Sequence, residues 1–169
     1  FILTLANLCN NSVITSKSSY NNNNNEKLVH GEPTENSLVY AGINNNILKN
    51  EIDNRYPRIH EIPFDSKRKL MTTVHKLTQS NIPNNESISP RYRYVTKGAF
   101  EMILNICNNY YDGCNIQPLN NLTKKKIIKT CNSMTKEALR VIAIAYKDST
   151  NPPTSTDNCE NNLCFVGLI

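Results

Sequence analysis

The sequence predicts an α+β fold with a mainly antiparallel sheet flanked by helices. Three observations carry this. Two apolar runs, Leu139 to Lys147 and Leu163 to Ile169, read as buried strands. Leu70 to Leu77 and Arg91 to Lys97 alternate over strand length and are rich in β-branched and aromatic residues. Phe100, Ile103, Leu104 and Cys107 recur at the i, i+3, i+4, i+7 spacing of one buried helical face.

Taken in order, Phe1 to Cys9 is apolar enough for a helix end or buried segment. Thr15 to Lys27 reads as a polar loop around the Asn21 to Asn25 homopolymer, which can bury nothing to offset its ordering entropy. Pro33 to Ala41 reads as a short helix, with Pro33 and Glu35 in its first turn and Gly42 as its stop. Ile43 to Asn54 reads as loose chain, and Glu61 to Phe64 as a short extended run. The Leu70 and Arg91 strands should pair as an antiparallel hairpin across a polar loop, Thr78 to Pro90. Gly98 opens the Phe100 helix, and Asp112-Gly113 is a turn. Thr123 can cap a helix through about Glu137 that buries Ile127, Ile128, Cys131 and Met134. A Pro- and Asn-rich loop, Asn151 to Asn162, precedes the last strand. Asn-rich surface loops are thus expected near 15–27, 43–54, 78–90 and 149–162 of a single domain over 1–169.

A net charge of +5 is too small to argue for nucleic acid by itself. No apolar run reaches the roughly 18 residues of a membrane span. The six cysteines show no CxxC and no zinc spacing, so they read as reduced, mostly buried thiols. The three histidines are scattered, and neither a Walker loop nor a dinucleotide glycine fingerprint is present. No catalytic set and no metal ligands emerge. The start at Phe1 and the apolar finish suggest a domain cut from a longer chain.

Three segments invite a functional reading. In Phe64-Asp65-Ser66-Lys67-Arg68-Lys69, an aromatic at a strand end could stack on a base while hydroxyl and cations hold its phosphates. Such stacking is worth ~1–3 kcal/mol. The alternative is a core Phe beside a solvated turn. In Lys97-Gly98-Ala99 a cation sits at a strand–helix junction, where glycine admits a close ligand and helix N–H groups favour an anion. The alternative is an ordinary turn. In Leu139-Arg140-Val141 a charge inside an apolar strand needs a partner, either a phosphate or a structural carboxylate.

In their order these segments resemble one family. Gly31-Glu32-Pro33-Thr34-Glu35, Phe64 to Met71, Lys97-Gly98-Ala99-Phe100-Glu101 and Ala138-Leu139-Arg140-Val141 look like the signature series of the nucleotide-binding domain of type II P-type cation-transporting ATPases. Leu8-Cys9-Asn10 and Phe165-Val166-Gly167-Leu168 look like its edges. Ser66 stands where calcium pumps of the reticulum carry Arg and sodium–potassium pumps carry Ser, and Glu32 stands where Asp is commoner. Lys97 to Leu119 looks most like the sodium-exporting branch of lower eukaryotes.

The resemblance implies an antiparallel sheet flanked by helices, inserted into a phosphorylation domain. It implies that Phe64 stacks on adenine and that Glu35 bonds the adenine edge, with Glu32 a weaker candidate. Ser66 and Lys69 would lie beside the nucleotide, Lys97 and Gly98 would line the deep part of the pocket, and Arg140 would meet the phosphates. The implied ligand is ATP, with magnesium used by the parent and not expected to be held here. The chain contains no DKTGT motif, so the phosphorylated Asp lies elsewhere. The implied partners are the phosphorylation and actuator domains of the same parent, at the cytosolic face of a membrane pump for sodium or calcium. The chain itself is expected to be soluble and monomeric, without nucleic acid or direct membrane contact. Two readings from other classes stay open on the residues alone. One is a protein-interaction module that binds no nucleotide. The other is a nucleic-acid binder using Tyr92, Tyr94, Arg91 and Arg93.

Overall fold

The computed structural model describes residues 1–17, 26–77 and 91–169. A seven-stranded sheet is its centre, in the order β3 (Arg58–Asp65), β4 (Leu70–Lys76), β5 (Tyr92–Gly98), β8 (Ala143–Ser149), β9 (Leu163–Leu168), β6 (Cys107–Tyr111) and β7 (Ile116–Pro118). Every pair is antiparallel except β6 with β9. The helices are α1 (Ile2–Leu8), α2 (Pro33–Asn44), α3 (Lys49–Arg55), α4 (Phe100–Ile106), α5 (Asn121–Lys136) and α6 (Thr156–Cys159). A two-stranded ladder of β1 (Val13–Lys17) and β2 (Glu26–His30) stands apart from the large sheet. The expected fold class holds. Among the described residues no helix is long and apolar enough to cross a membrane.

Alternation along the strands produces three layers. Met71, Val95, Ile144 and Tyr146 point to one face and pack with Leu5, Leu8 and Cys9 of the α1 segment and Leu38 of α2. Leu70, Ala143, Ala145 and Phe165 point to the other and pack with Ile103 and Leu104 of α4. A satellite cluster joins Val74 and Tyr94 to Cys159 of α6, with Tyr92 packed against it. Tyr94 is therefore core, and Arg93 is committed to Asp148 through two hydrogen bonds of 2.7 and 2.8 Å. Tyr94 and Arg93 are thus occupied within the fold, while Arg91 stays exposed and Tyr92 half-buried. All six cysteines are free thiols, and only Cys114 is exposed.

Several expectations need correction. Residues 15–17 and 26–27 are strand, not loop, because Val13 to Lys17 pairs in register with His30 to Glu26. Gly42 does not stop α2; its bare Cα lets the Asn7 side chain pack against the helix, which continues to Asn44. The expected loose stretch 43–54 holds the end of α2 and most of α3, a short polar helix anchored by the buried Lys49 and its 2.7 Å ion pair with Asp53. The cap of α5 is Asn120, whose side chain accepts the Thr123 N–H, and Ile128 of that helix is exposed. Strands β6 and β7 around the Asp112 turn were not anticipated. Strand β8 begins at Ala143, so Leu139 to Ile142 lies outside the sheet. The 78–90 loop lies outside the described residues.

Candidate functional site

The strand register brings most of the expected residues to one end of the sheet. Asp65 pairs with Leu70, Leu70 with Gly98, and Gly98 with Ala143. The last residues of β3 and β5 and the first of β4 and β8 thus share one edge. Phe64, Ser66, Lys69, Lys97 and Gly98 lie there, with Arg140 in the segment leading into β8.

Phe64 is 61% exposed. The core-Phe alternative fails, and a large aromatic face is left without protein covering it. Behind it the chain turns through Ser66 to Lys69. Asp65 builds that turn: its Oδ1 accepts from the N–H groups of Lys67 and Arg68 at 3.0 and 2.8 Å, and its carbonyl accepts from Lys69 at 2.6 Å. Lys69 adopts φ +55°, a left-handed conformation that closes the turn. Ser66 and Lys69 are exposed, whereas Arg68 folds back to Glu160 and to the Pro63 carbonyl.

Gly98 also has a structural reason. A Cβ there would lie 2.1 Å from the Lys69 carbonyl oxygen, and the neighbouring Ala99 N–H donates to that same oxygen at 3.1 Å. What lies against the glycine on that side is the chain's own turn, and the Ala99 N–H is already used. Gly98 joins the turn to the strand–helix junction, so Phe64, Lys69 and Lys97 are held on one frame.

Lys97 lies on the α1–α2 face, opposite Met71 and Ile144. Its side chain is 10% exposed and its ammonium donates to Glu35 Oε1 at 2.5 Å. Glu35, in the first turn of α2, is also largely buried, and its Oε2 accepts the Asn11 N–H at 3.0 Å. Asn10 holds the Glu35 carbonyl through its Nδ2 at 2.8 Å. Arg58 then fixes the Leu8–Asn11 segment by donating to the carbonyls of Leu8 and Asn10 and to Asn11 Oδ1. Glu32, the N-cap of α2, is exposed and makes no side-chain cap bond.

Arg140 also departs from expectation. It is exposed in the connection between α5 and β8, after Ala138 at φ +59°, and has no ion pair among the described residues. The sequence places it inside a strand and in need of a partner; in the structure it is a solvated cation ahead of β8. Two surface grooves, one along the outer face of α5 and one between Asn10–Val13 and Lys49–Arg58, contain none of the expected residues except through the Asn10–Asn11 support of Glu35. An open aromatic platform makes no enclosed cavity.

Three residues central to this arrangement escaped the sequence reading: Asn11, Arg58 and Glu160. Asn11 follows the quoted Leu8-Cys9-Asn10 edge, which was the available signal. The other two carry no local pattern. Among the described residues no group of three or more His, Cys, Asp and Glu could hold a metal ion.

A largely exposed ring at the same sheet edge as cations without an ion pair among the described residues suits a ligand that is aromatic at one end and anionic at the other. The fold that carries this edge is an α+β domain with a mainly antiparallel sheet. The family model described as the P-type ATPase cytoplasmic domain N matches residues 2–169, and the chain belongs to that family. Relatives include Calcium-transporting ATPase 1 of Bacillus cereus, 35% identical over 96% of this chain and 17% of that protein. Calcium-transporting ATPase 1 of Saccharomyces cerevisiae is 32% identical over 99% of this chain and 16% of that protein. Sodium/potassium exporting P-type ATPase 1 of the same yeast is 33% identical over 68% of this chain and 11% of that protein. The chain therefore spans about a sixth of the length of the first two.

Proposed function

We propose that this domain binds ATP at the sheet edge and presents its γ-phosphate to an aspartate in a separate phosphorylation domain of the same parent. The observation that supports this best is the uncovered Phe64 ring, 61% exposed at the edge where Lys69, Lys97 and Arg140 also end. Phe64 stacks on adenine, Glu35 accepts from the adenine edge, and Glu32 is a weaker contact. Ser66 and Lys69 lie beside the ribose and phosphates, Lys97 and Gly98 form the floor, and Arg140 meets the phosphates.

The chemistry is positioning rather than bond making. Phosphoryl transfer needs an in-line nucleophile and neutralised charge, and this domain supplies orientation and cations. Its Lys97 is already neutralised by Glu35, so the phosphates draw on the exposed cations. The whole protein is an ATP-driven cation translocase for calcium or sodium, with this domain on the cytosolic side of its membrane. Magnesium arrives with the nucleotide and contributes little to binding here.

An NMR titration of the chain with ATP tests this, with GTP and the Phe64→Ala variant alongside. An open site with one stacked ring and few cations predicts a Kd on the order of 0.1–1 mM. The expected result is saturable shifts at Phe64, Lys97 and Gly98, selective for ATP and lost in the variant. No shifts up to ~10 mM, an affinity under ~3 kcal/mol, would overturn the reading in favour of an interaction module.

A further inference from the structure

We infer that Glu160 is a positioning residue for the Phe64–Lys69 turn, and thus for the nucleotide site proposed above, on which this inference rests. Glu160 follows α6 in the Pro- and Asn-rich connection to β9. Its side chain is 7% exposed, unusual for a carboxylate. Arg68 Nη1 donates to both of its oxygens at 2.5 Å. Thr72 Oγ1 donates to Oε1 at 2.8 Å and shares a second hydrogen bond, 2.9 Å, with Thr96 Oγ1 on β5. The carboxylate is therefore fixed by two strands of the sheet before it receives Arg68.

Arg68 carries that constraint into the turn. Its Nη2 donates to the Pro63 carbonyl at 2.9 Å, and its backbone N–H donates to Asp65. One guanidinium thus spans the turn, tying the Pro63 carbonyl to Glu160, which lies 92 positions after Arg68 in the chain. The side chains of Phe64, Ser66 and Lys69 are exposed and add little packing to the turn, so Arg68 supplements the bonds made by Asp65. Charge-assisted bonds from a planar fork are stronger and more directional than neutral ones, which suits this task. Glu160 touches no ligand; it acts through Arg68.

The test measures ATP affinity of the 169-residue chain by NMR for wild type, Glu160→Gln, Glu160→Asp and Arg68→Lys. The exposed Glu137→Gln serves as control, and each melting midpoint is recorded. Glu160→Gln keeps the shape and removes the charge. The expected result is a Kd raised about tenfold, with amide shifts in the ligand-free chain concentrated at Ser66 to Lys69, partial recovery in Glu160→Asp, and no effect from Glu137→Gln. Arg68→Lys keeps the cation but loses the fork, and should weaken binding by a similar factor. Wild-type affinity in both Glu160→Gln and Arg68→Lys would overturn the inference while leaving the ATP reading intact. Spectra altered throughout the sheet, or unfolding of both variants, would overturn it too, making the pair a fold element. Absence of binding by wild type would instead defeat the ATP reading itself, and Glu160 would keep no nucleotide role.

Discussion

Lys97 and Arg140 stand at the same end of the sheet, and the resemblance implies a nucleotide contact for both, Lys97 deep in the pocket and Arg140 at the phosphates. They are opposites. Lys97 is buried, points to the helical face and is ion-paired with Glu35. Arg140 is exposed in a connection and has no ion pair among the described residues. A cation in a motif can therefore be committed to the fold or left free, and burial decides which. The committed one should show itself in stability, and the free one in ligand affinity.

The sharpest way to break this comparison is to remove the committed charge. Lys97→Met strands the Glu35 carboxylate in a largely buried site with only the Asn11 N–H left. Losing one partner of a buried pair costs ~3–5 kcal/mol, and the lower end applies because Glu35 retains that bond and some water. The second substitution Glu35→Gln in the same chain should recover most of the loss, since a neutral amide can be buried far more cheaply. Urea denaturation of the two variants measures both. A single-variant loss under ~1 kcal/mol would show that Lys97 is not committed.

His75 extends the committed class to a titrating group. It is buried on β4, bonded to the Tyr56 carbonyl at 2.8 Å and to Thr73 at 2.9 Å. Burial pushes its pKa down to about 4, against the milder upward pull of its bond to the Tyr56 carbonyl. The unfolded chain therefore binds a proton that the folded chain refuses between pH 6.5 and 4. Its contribution is full above pH 6.5 and is lost as pH falls through that window, by about 2–3 kcal/mol from pH 7 to 4.5. Denaturation at the two pH values should show this drop in wild type and a smaller one in His75→Gln.

Gly98→Ala tests the frame that joins the two cations' surroundings. The added Cβ would meet a backbone carbonyl, the Lys69 oxygen at 2.1 Å, not the end of a flexible side chain. The strand or the turn must move, at a cost of about 2–3 kcal/mol. Because the displaced atom belongs to the turn carrying Phe64, ATP affinity should fall as well, beyond what the loss of folded protein explains. A chain of wild-type stability would contradict the close approach.

Much of the architecture was legible because its signals are local. The apolar run ending at Ile169, the Phe100 helical face and the β4–β5 alternation each announce burial within a few residues. Strand β6 was not, because Cys107-Asn108-Asn109-Tyr110-Tyr111 has no alternation of its own and forms by parallel pairing with β9, more than 50 residues later. Helix α3 was missed because it is almost wholly polar and short, held by tertiary contacts rather than by an apolar face. At the candidate site, residue types and order singled out positions that the fold gathers at one end of the sheet. They could not show that Phe64 is uncovered, that Gly98 serves the turn, or that Arg68 is spent on Glu160. Each of those facts is a relation between distant residues.

Arg140→Ala should have the smallest effect on the fold and is the other half of the comparison. Its side chain is solvated, so truncation removes no buried contact, and exposed charges of this kind change stability by no more than ~0.5 kcal/mol. In binding, the same guanidinium is available at no cost of breaking a partner, unlike Lys97. A charge-assisted bond to phosphate is worth ~1.5–3 kcal/mol when well formed, and less in an open site that salt can screen. ATP affinity should therefore fall about three- to tenfold, adenosine affinity should not change, and the difference should shrink at 0.5 M salt. Equal losses for ATP and adenosine would mean that Arg140 shapes the edge without meeting the phosphates. A loss of stability comparable to that of Lys97→Met would mean that it, too, is committed, and that exposure alone does not distinguish the two.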